Sequence, residues 1–319
     1  NDLHDYADDL KHNRTSKPLV SGLITTKQLR TAIFVVLPLA VIVNLFGPLG
    51  LKGGAVYLLG IGFGLAYNFY FKFTALSPLP YVIAFAALPA SIVLAVDTPD
   101  LSTAIEWVKA TQDHISVFKL GLEFYLTFGA DGIKAVKDVT DSDIFLDLKL
   151  HDIPHTVSGA AKAVAHLAPK FLTVHASGGQ AMVKAAVDAM PNTLITGVTI
   201  LTSLSEQDVQ EVGFASNALN SAVSLAKVAT SAGAGAIVCS PLEIAAVRSA
   251  VGNSAVIITP GVRPAEMVGS DDQQRTMTPE DAIAAGANFV VIGRPITQSW
   301  AKGAQAMKER AQEIGSLLI

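Results

Sequence analysis

The chain has 319 residues, half of them hydrophobic, with a formal net charge of −4 and a mean hydropathy of +0.44. That hydropathy is too high for a purely soluble protein, and the single cysteine, Cys239, excludes an internal disulfide framework and a cysteine metal cluster. Residues 1–90 carry seven Lys/Arg against four Asp, a net of +3, which leaves −7 for the remainder. Two segments of different physical class therefore share one chain.

The first segment opens with Asp2, Asp5 and Asp9, whose three- and four-residue spacing puts them on one helix face. Carboxylates grouped in this way suit Mg²⁺ bridging to a pyrophosphate, although a solvated acidic turn reads the same. No leading basic stretch with a short apolar core is present, so no signal peptide is expected. Residues 31–51 and 53–71 then form uncharged runs of 21 and 19 residues. Each is long enough to cross a bilayer of roughly 30 Å, and a pair of buried soluble helices is the alternative. Five of the seven cations precede the first run, which puts that side in the cytoplasm. A third uncharged run ends in Ser91–Val96, which also reads as the first strand of the second segment, so the span would be cut short there.

From Ser91 onward, short apolar runs alternate with Ala-rich amphipathic stretches. The expected strands are Ile92–Val96, Val117–Leu120, Ile144–Leu148, Phe171–His175, Ile195–Ile200, Ala236–Cys239, Val256–Thr259 and Phe289–Ile292. Expected helices include Leu101–Gln112, Val157–Leu167, Ala181–Ala189, Ala218–Ser231, Pro241–Ala250, Pro279–Ala285 and a last one from about Gln298 to Leu318. Continuous apolar strands separated by helices indicate a parallel sheet buried on both faces. The fold class is thus α/β, a (β/α)8 TIM barrel over residues 91–319, preceded by an all-α transmembrane segment over 1–90. A doubly wound open sheet is the alternative.

In a barrel of this kind the active site lies at the carboxyl ends of the strands, and the polar residues recur there. Asp97 ends strand one and Lys119 lies in strand two. Asp147, Lys149 and Asp152 follow strand three, and His175 ends strand four. Thr202 and Ser203 follow strand five. Arg263 follows strand seven, and Gly293 and Arg294 follow strand eight. On an extended strand Asp147 and Lys149, two apart, point to one face. Desolvating two carboxylates and an ammonium at a strand end is costly, so chemistry competes with a surface salt-bridge cluster as the reason for them. Gly261 and Gly293 allow a close backbone approach, and Arg263 and Arg294 offer forked donors, as a phosphate site would need. Asp272, Gln273 and Arg275 add a polar loop nearby. Cys239, inside an apolar run, reads as a core filler.

These residues carry a resemblance. The stretch Asp147-Leu148-Lys149-Leu150-His151-Asp152-Ile153-Pro154-His155-Thr156 is its centre. With it go Ala95-Val96-Asp97, Phe118-Lys119-Leu120-Gly121, His175-Ala176-Ser177-Gly178-Gly179, Thr259-Pro260-Gly261-Val262-Arg263, Asp272-Gln273-Gln274-Arg275 and Gly293-Arg294. From about Ile92 to Leu318 the chain closely resembles the orotidine 5′-phosphate decarboxylases. The resemblance implies conversion of orotidine 5′-phosphate to UMP and CO2 without metal or cofactor. It implies a charge network of Lys119, Asp147, Lys149 and Asp152, with Asp152 supplied across a homodimer interface and Lys149 protonating C6. Asp97 and Lys119 would hold the ribose, Thr202 or Ser203 the pyrimidine, and Gln273, Gly293 and Arg294 the phosphate, with Arg263 nearby; Thr156 joins the substrate-binding set. No nucleic-acid partner is expected, and the barrel is expected in the cytoplasm.

Residues 1–90, with Asp2, Asp5 and Asp9 followed by Arg14-Thr15-Ser16-Lys17-Pro18-Leu19, resemble part of the UbiA-type intramembrane prenyltransferases. That family needs a second Asp-rich motif, and no acid occurs between Asp9 and Asp97. The resemblance therefore implies at most a remnant Mg²⁺-pyrophosphate site, unable to transfer a prenyl chain alone, with membrane contact through residues 31–90. Two other readings stay open: a Mg²⁺-dependent sugar-phosphate decarboxylase of the same superfamily, and a membrane prenyltransferase fragment with an appended barrel. The abrupt join is the pattern of a fused or misassembled reading frame, which the flanking DNA would test.

Overall fold

The computed structural model describes residues 91–264 and 276–318, together with Thr25. The chain divides into two units, Asn1–Leu88 and Pro89–Ile319, and the described fold is that of the second. Asp2, Asp5, Asp9 and the two long uncharged runs lie outside the described residues. Among the described residues, no helix is long and apolar enough to cross a membrane.

Eight parallel strands close into a barrel in chain order. They are β1 (Ser91–Ala95), β2 (Val117–Gly121), β3 (Asp143–Leu150), β4 (Phe171–His175), β5 (Leu194–Val198), β6 (Ala236–Val238), β7 (Val256–Thr259) and β8 (Phe289–Ile292). β1 pairs with β2 on one side and with β8 on the other, which excludes the open sheet. The helices between them are α1 (Leu101–Thr111), α2 (Leu122–Lys137), α3 (Pro154–Val164), α4 (Gly179–Ala189), α5 (Glu206–Glu211), α6 (Ala218–Ser231), α7 (Ile244–Val251), α8 (Pro279–Ala284), α9 (Arg294–Thr297) and α10 (Ala304–Ser316).

The period of two along each strand sorts the side chains into two cores. Val93, Ala95, Val117, Phe145, Phe171, Ala236, Ile258 and Val291 fill the barrel interior. The residues between them, such as Ile92, Leu94, Phe118, Leu120, Leu146 and Leu172, pack outward on the helices. Small residues let helix and strand approach: a Cβ at Gly197 would stand 2.6 Å from the Ala229 Cβ of α6. Near the amino-terminal end of the barrel the Phe145 and Phe171 rings lie 5.5 Å apart, as do those of Phe171 and Phe289. Rings packed at 59° and 73° to one another make a packed plug rather than a pore.

Several elements depart from the sequence expectation. The 16-residue helix α2 was not among the expected helices. Gly129 inside it has φ 62° and ψ −155°, a break in the helical backbone, and Leu122 and Leu126 are exposed on it. A helix with an internal glycine break and solvent-facing leucines has no clean apolar stripe to read. The expected last helix is two pieces, a 3-10 turn Gln298–Lys302 and α10, divided by Gly303 at φ 101°. α3 starts three residues earlier than expected, with Pro154 in its first turn, where a missing N–H costs nothing.

The most consequential departure is in β3. It pairs with β4 through Leu146↔Leu172 and then Leu150↔Val174, with the register shifted between them. Lys149 has φ 49°, a conformation uncommon for any residue but glycine. Asp147 and Lys149 still share a face, but by a bulge and a left-handed residue, not by an evenly extended strand.

Candidate active site

The inward side chains at the carboxyl ends of the strands surround a cavity of about 330 Å³. Its polar wall is built by strand parity. Lys119 stands two residues beyond Val117 on β2, Asp147 and Lys149 follow Phe145 on β3, and Asp97 lies just past β1. Asp97, Lys119, Asp147 and Lys149 all line the cavity, as do Thr202, Arg263, Gly293 and Arg294.

The charges alternate in sign. Lys119 Nζ is 3.4 Å from Asp97 Oδ1 and 3.5 Å from Asp147 Oδ2. The same Asp147 oxygen accepts from Lys149 Nζ at 2.8 Å. Asp147 Oδ1 accepts the Thr173 hydroxyl at 2.9 Å. One buried carboxylate thus serves two ammonium groups and a hydroxyl. Burial by itself would push the Asp147 carboxyl up, but the charges of Lys119 and Lys149 and its hydrogen bonds outweigh that and hold it below the usual range. Burial likewise works against the Lys119 charge, and the carboxylates of Asp147 and Asp97 more than offset it, raising Lys119 above an ordinary lysine. The pair lies against Gly121, where a Cβ would meet Asp97 Oδ1 at 3.4 Å and Lys119 Nζ at 3.5 Å, ordinary contact distances.

His175, at the end of β4, is half-buried, with its ring 5.4 Å from that of His151. Burial, then the neighbouring His151 and Lys149, push its pKa below the ordinary histidine value, against a smaller opposing pull from Asp147.

On the far side, Gly261 turns the chain with φ 77° directly after β7. The loop that begins there is tied at its base by Arg263 N–H to the Met277 carbonyl at 3.0 Å and by Met277 N–H to the Gly261 carbonyl at 3.4 Å. Arg263 is buried against the cavity, and Arg294 opens α9 at the end of β8. Asp272, Gln273 and Arg275 lie outside the described residues.

Three expected site residues stand apart from the cavity walls of this one chain. Asp152 is exposed in the short segment that joins β3 to α3, beside exposed Ile153, and Thr156 is exposed in the first turn of α3. Ser203 is exposed beside Thr202, and of the two only Thr202 faces the cavity. The turn after β5 directs one side chain inward and the next outward. The walls also include Ile200, Leu201, Cys239 and Thr297, which residue type alone did not single out. Cys239 is fully buried, and its carbonyl accepts the Thr259 hydroxyl at 2.9 Å. Thr173 lines no wall, but it touches both Asp147 and Lys149. Its signal in the sequence was parity, since it lies two residues before His175 and so faces inward. Among the described residues, no group of three or more His, Cys, Asp or Glu is placed to hold a metal ion.

Comparison with known proteins agrees with this geometry. The model of the orotidine 5′-phosphate decarboxylase / HUMPS family matches residues 90–309. The model of the UbiA prenyltransferase family matches residues 1–142; its last part, from Ser91, is the stretch that forms β1, α1, β2 and α2 here. The chain is 52% identical to orotidine 5′-phosphate decarboxylase of Thermobifida fusca over 219 residues, 69% of this chain and 94% of that one. It is 44% identical to the same enzyme of Wolbachia pipientis subsp. Culex pipiens over 210 residues, 65% of this chain and 92% of that one. Among solved structures, orotidine 5′-phosphate decarboxylase from Lactobacillus acidophilus superposes with a TM-score of 0.62 at 32% identity, covering 72% of this chain and 99% of that chain. The enzyme from Methanocaldococcus jannaschii, complexed with the inhibitor BMP, gives 0.59 at 26% identity, covering 72% and 99%. With more than two thirds of its length matched by the family model, this chain belongs to the orotidine 5′-phosphate decarboxylase / HUMPS family.

Proposed function

We propose that the barrel decarboxylates orotidine 5′-phosphate to UMP and CO2, and that it does so with its own side chains. The observation that carries this reading is the Asp97–Lys119–Asp147–Lys149 network at the mouth of the barrel, an alternating line of charge in a cavity that Arg263 and Arg294 also line.

The chemistry depends on where charge develops. As the C6–carboxylate bond breaks, CO2 leaves and the electron pair stays on C6. The Lys149 ammonium stabilises that carbanion and then transfers a proton to it; solvent reprotonates the amine. Asp147, kept ionised by its two lysines, faces the substrate carboxylate and disfavours its charge, so the repulsion is relieved as CO2 departs. Asp97 and Lys119 hold ribose hydroxyls, Thr202 contacts the pyrimidine, and Arg294, Gly293 and Gln273 bind phosphate with Arg263 nearby. Contacts to phosphate and ribose, remote from C6, supply binding energy that is used at the reacting centre. The exposed segment from His151 to Thr156 carries Asp152 and Thr156 toward a second copy of the chain, so the working unit is a homodimer in which Asp152 completes the partner's network.

The Mg²⁺-dependent reading is disfavoured by Lys119. Its ammonium already stands between the carboxylates of Asp97 and Asp147, where a divalent ion would have to compete with it. For residues 1–90, which apart from Thr25 lie outside the described residues, the uncharged runs and the family match support the reading of a partial UbiA-type membrane segment.

The test is UMP formation from orotidine 5′-phosphate by the purified chain, with and without a chelator, beside Lys149→Ala. Turnover should survive the chelator, and kcat should fall by roughly 10²–10⁴-fold in the variant, the range a positioned general acid contributes. Full activity in Lys149→Ala, or a strict requirement for Mg²⁺, would remove this reading.

A further inference from the structure

The backbone of β3 carries more residues than its neighbour can pair. Between the pairs Leu146↔Leu172 and Leu150↔Val174, Asp147, Leu148 and Lys149 stand opposite the single residue Thr173. Such a bulge interrupts the ladder and re-aims the side chains on it. The interrupted hydrogen bonds must go somewhere, because an unpaired N–H buried in a barrel is costly. Here the Lys149 N–H goes to a side chain. Lys149 N–H donates to Thr173 Oγ1 at 2.8 Å, and the same hydroxyl donates to Asp147 Oδ1 at 2.9 Å.

A hydroxyl is the smallest side-chain group that can accept and donate at once. Thr173 is fully buried, so bulk water does not reach it to substitute. Lys149 is held at φ 49°, which a non-glycine residue keeps only where its surroundings over-determine it. The Thr173 hydroxyl is the side-chain contact that holds its N–H. That left-handed turn is also what directs the Lys149 side chain back over Asp147, bringing Nζ to 2.8 Å from Oδ2.

We infer that Thr173 is a positioning residue of the active site: its hydroxyl clamps the Asp147 carboxylate and the Lys149 main chain in the single arrangement that presents both to the substrate. The inference rests on the proposed roles of Asp147 and Lys149. It predicts that the hydroxyl, not the volume of residue 173, sets the rate.

Three proteins, each as the full chain, separate the cases: Thr173→Val, which keeps the shape and removes the hydroxyl, Thr173→Ser, which keeps the hydroxyl, and Lys149→Ala. Thr173→Val should lose about 10²-fold in kcat, the order that a misplacement of 1 Å can cost, with KM little changed. Its acid limb should also move. The groups facing Asp147 are Lys119 from β2, Lys149 from β3 and His175 from β4, with Asp97 behind Lys119; all remain in the variant. Only a hydrogen bond to the charged carboxylate is lost, so the acid limb of kcat/KM should shift to higher pH. Thr173→Ser should restore the rate to within a few-fold and return the limb to its place. A folded valine protein with wild-type kcat and pH profile overturns the inference, as does a folded serine protein as slow as valine. If the valine protein does not fold, the serine protein decides alone by the same two readouts. Should Lys149→Ala keep full activity, the failure belongs to the proposed mechanism; loss in Lys149→Ala with none in Thr173→Val belongs to this inference.

Discussion

The two ends of the barrel use the same ingredients differently. At the amino-terminal end, Lys170 pairs with Asp143, both partly exposed, and lies 5.8 and 5.9 Å from the ring centres of Phe171 and Phe289. Beside them Arg248 donates to the carbonyls of Gly252, Ala255 and Gly286 and to the Asn288 side chain, at 2.6–3.2 Å. Each cation there has a local partner and an unstrained backbone. At the carboxyl-terminal end, one carboxylate is shared by two ammoniums, little water reaches it, and Lys149 stands in a left-handed conformation. Charge that solvent and neighbours fully satisfy adds to stability. Charge held buried, shared and strained is poised to act on a ligand, and the fold as a whole must hold it there.

The sharpest way to break this comparison is Asp147→Asn. Removing one preorganised charge from an active site costs on the order of 10³-fold in kcat. If Asp147 opposes the substrate carboxylate, KM should fall at the same time, because a ground-state repulsion has gone. Steady-state kinetics decide it: a higher KM with unchanged kcat would make Asp147 an ordinary binding group. The same residue sets an acid limit on stability. Its carboxyl is held below the unfolded value by Lys119 and Lys149 against the effect of burial. That contribution is complete above about pH 4, the unfolded value, and drains away as pH falls through the folded one. Urea unfolding of the wild type should therefore weaken in acid more steeply than that of Asp147→Asn.

At the other end the effect should be on stability alone. Arg248→Ala removes the donors that tie the turns before β7 and β8 and leaves their carbonyls without it. A loss of about 2–3 kcal/mol is expected, since hydrogen bonds from a charged donor count for more than neutral ones but do not add. kcat per folded molecule should stay unchanged. A tenfold fall in kcat in Arg248→Ala would show that the two ends are coupled, against the comparison.

Much of this division was legible in the residues. The eight strands stood out because a parallel strand buried on both faces must be apolar throughout, so polar residues such as Lys119, Asp147 and Lys149 are conspicuous on them. The two-residue spacing of Asp147 and Lys149 correctly put both on the cavity side. What composition could not give was how. A bulge is an event of register between two strands, and neither Lys149 at φ 49° nor the partnering of Thr173 leaves a mark in residue type. Helix α2 was missed because Gly129 breaks it and its exposed leucines blur its face. The expected place of Asp152 in the charge network has no counterpart within one chain: there it is exposed, and its carboxylate accepts the Ile153 N–H at 2.6 Å.

The strain at Lys149 can be measured without an activity assay. Lys149→Gly and Lys149→Ala both remove the ammonium, but only glycine adopts positive φ freely. A left-handed residue other than glycine costs roughly 1–2 kcal/mol, set against about 0.5–1 kcal/mol of extra chain entropy for glycine. Lys149→Gly should therefore unfold at a urea concentration equal to or above that of Lys149→Ala. At an ordinary strand position the order would reverse. A clearly less stable glycine variant would mean that the backbone turn is unstrained in solution, and the contrast between the two ends would then rest on charge alone.

The smallest expected effect belongs to Lys170→Met. Methionine keeps the apolar stem that covers Phe171 and Phe289 and removes only the charge. The pair with Asp143 is part-exposed, so about 0.2–1 kcal/mol is at stake, and salt should erase most of it. The cation over two aromatic faces adds a similarly modest amount at an exposed site. Unfolding free energies of the wild type and Lys170→Met should thus differ slightly at low ionic strength and converge near about 1 M salt, with kcat the same throughout. A difference that persists in high salt would mean that the Lys170 charge is held as tightly as that of Lys119, and that the amino-terminal end also carries charge shielded from solvent.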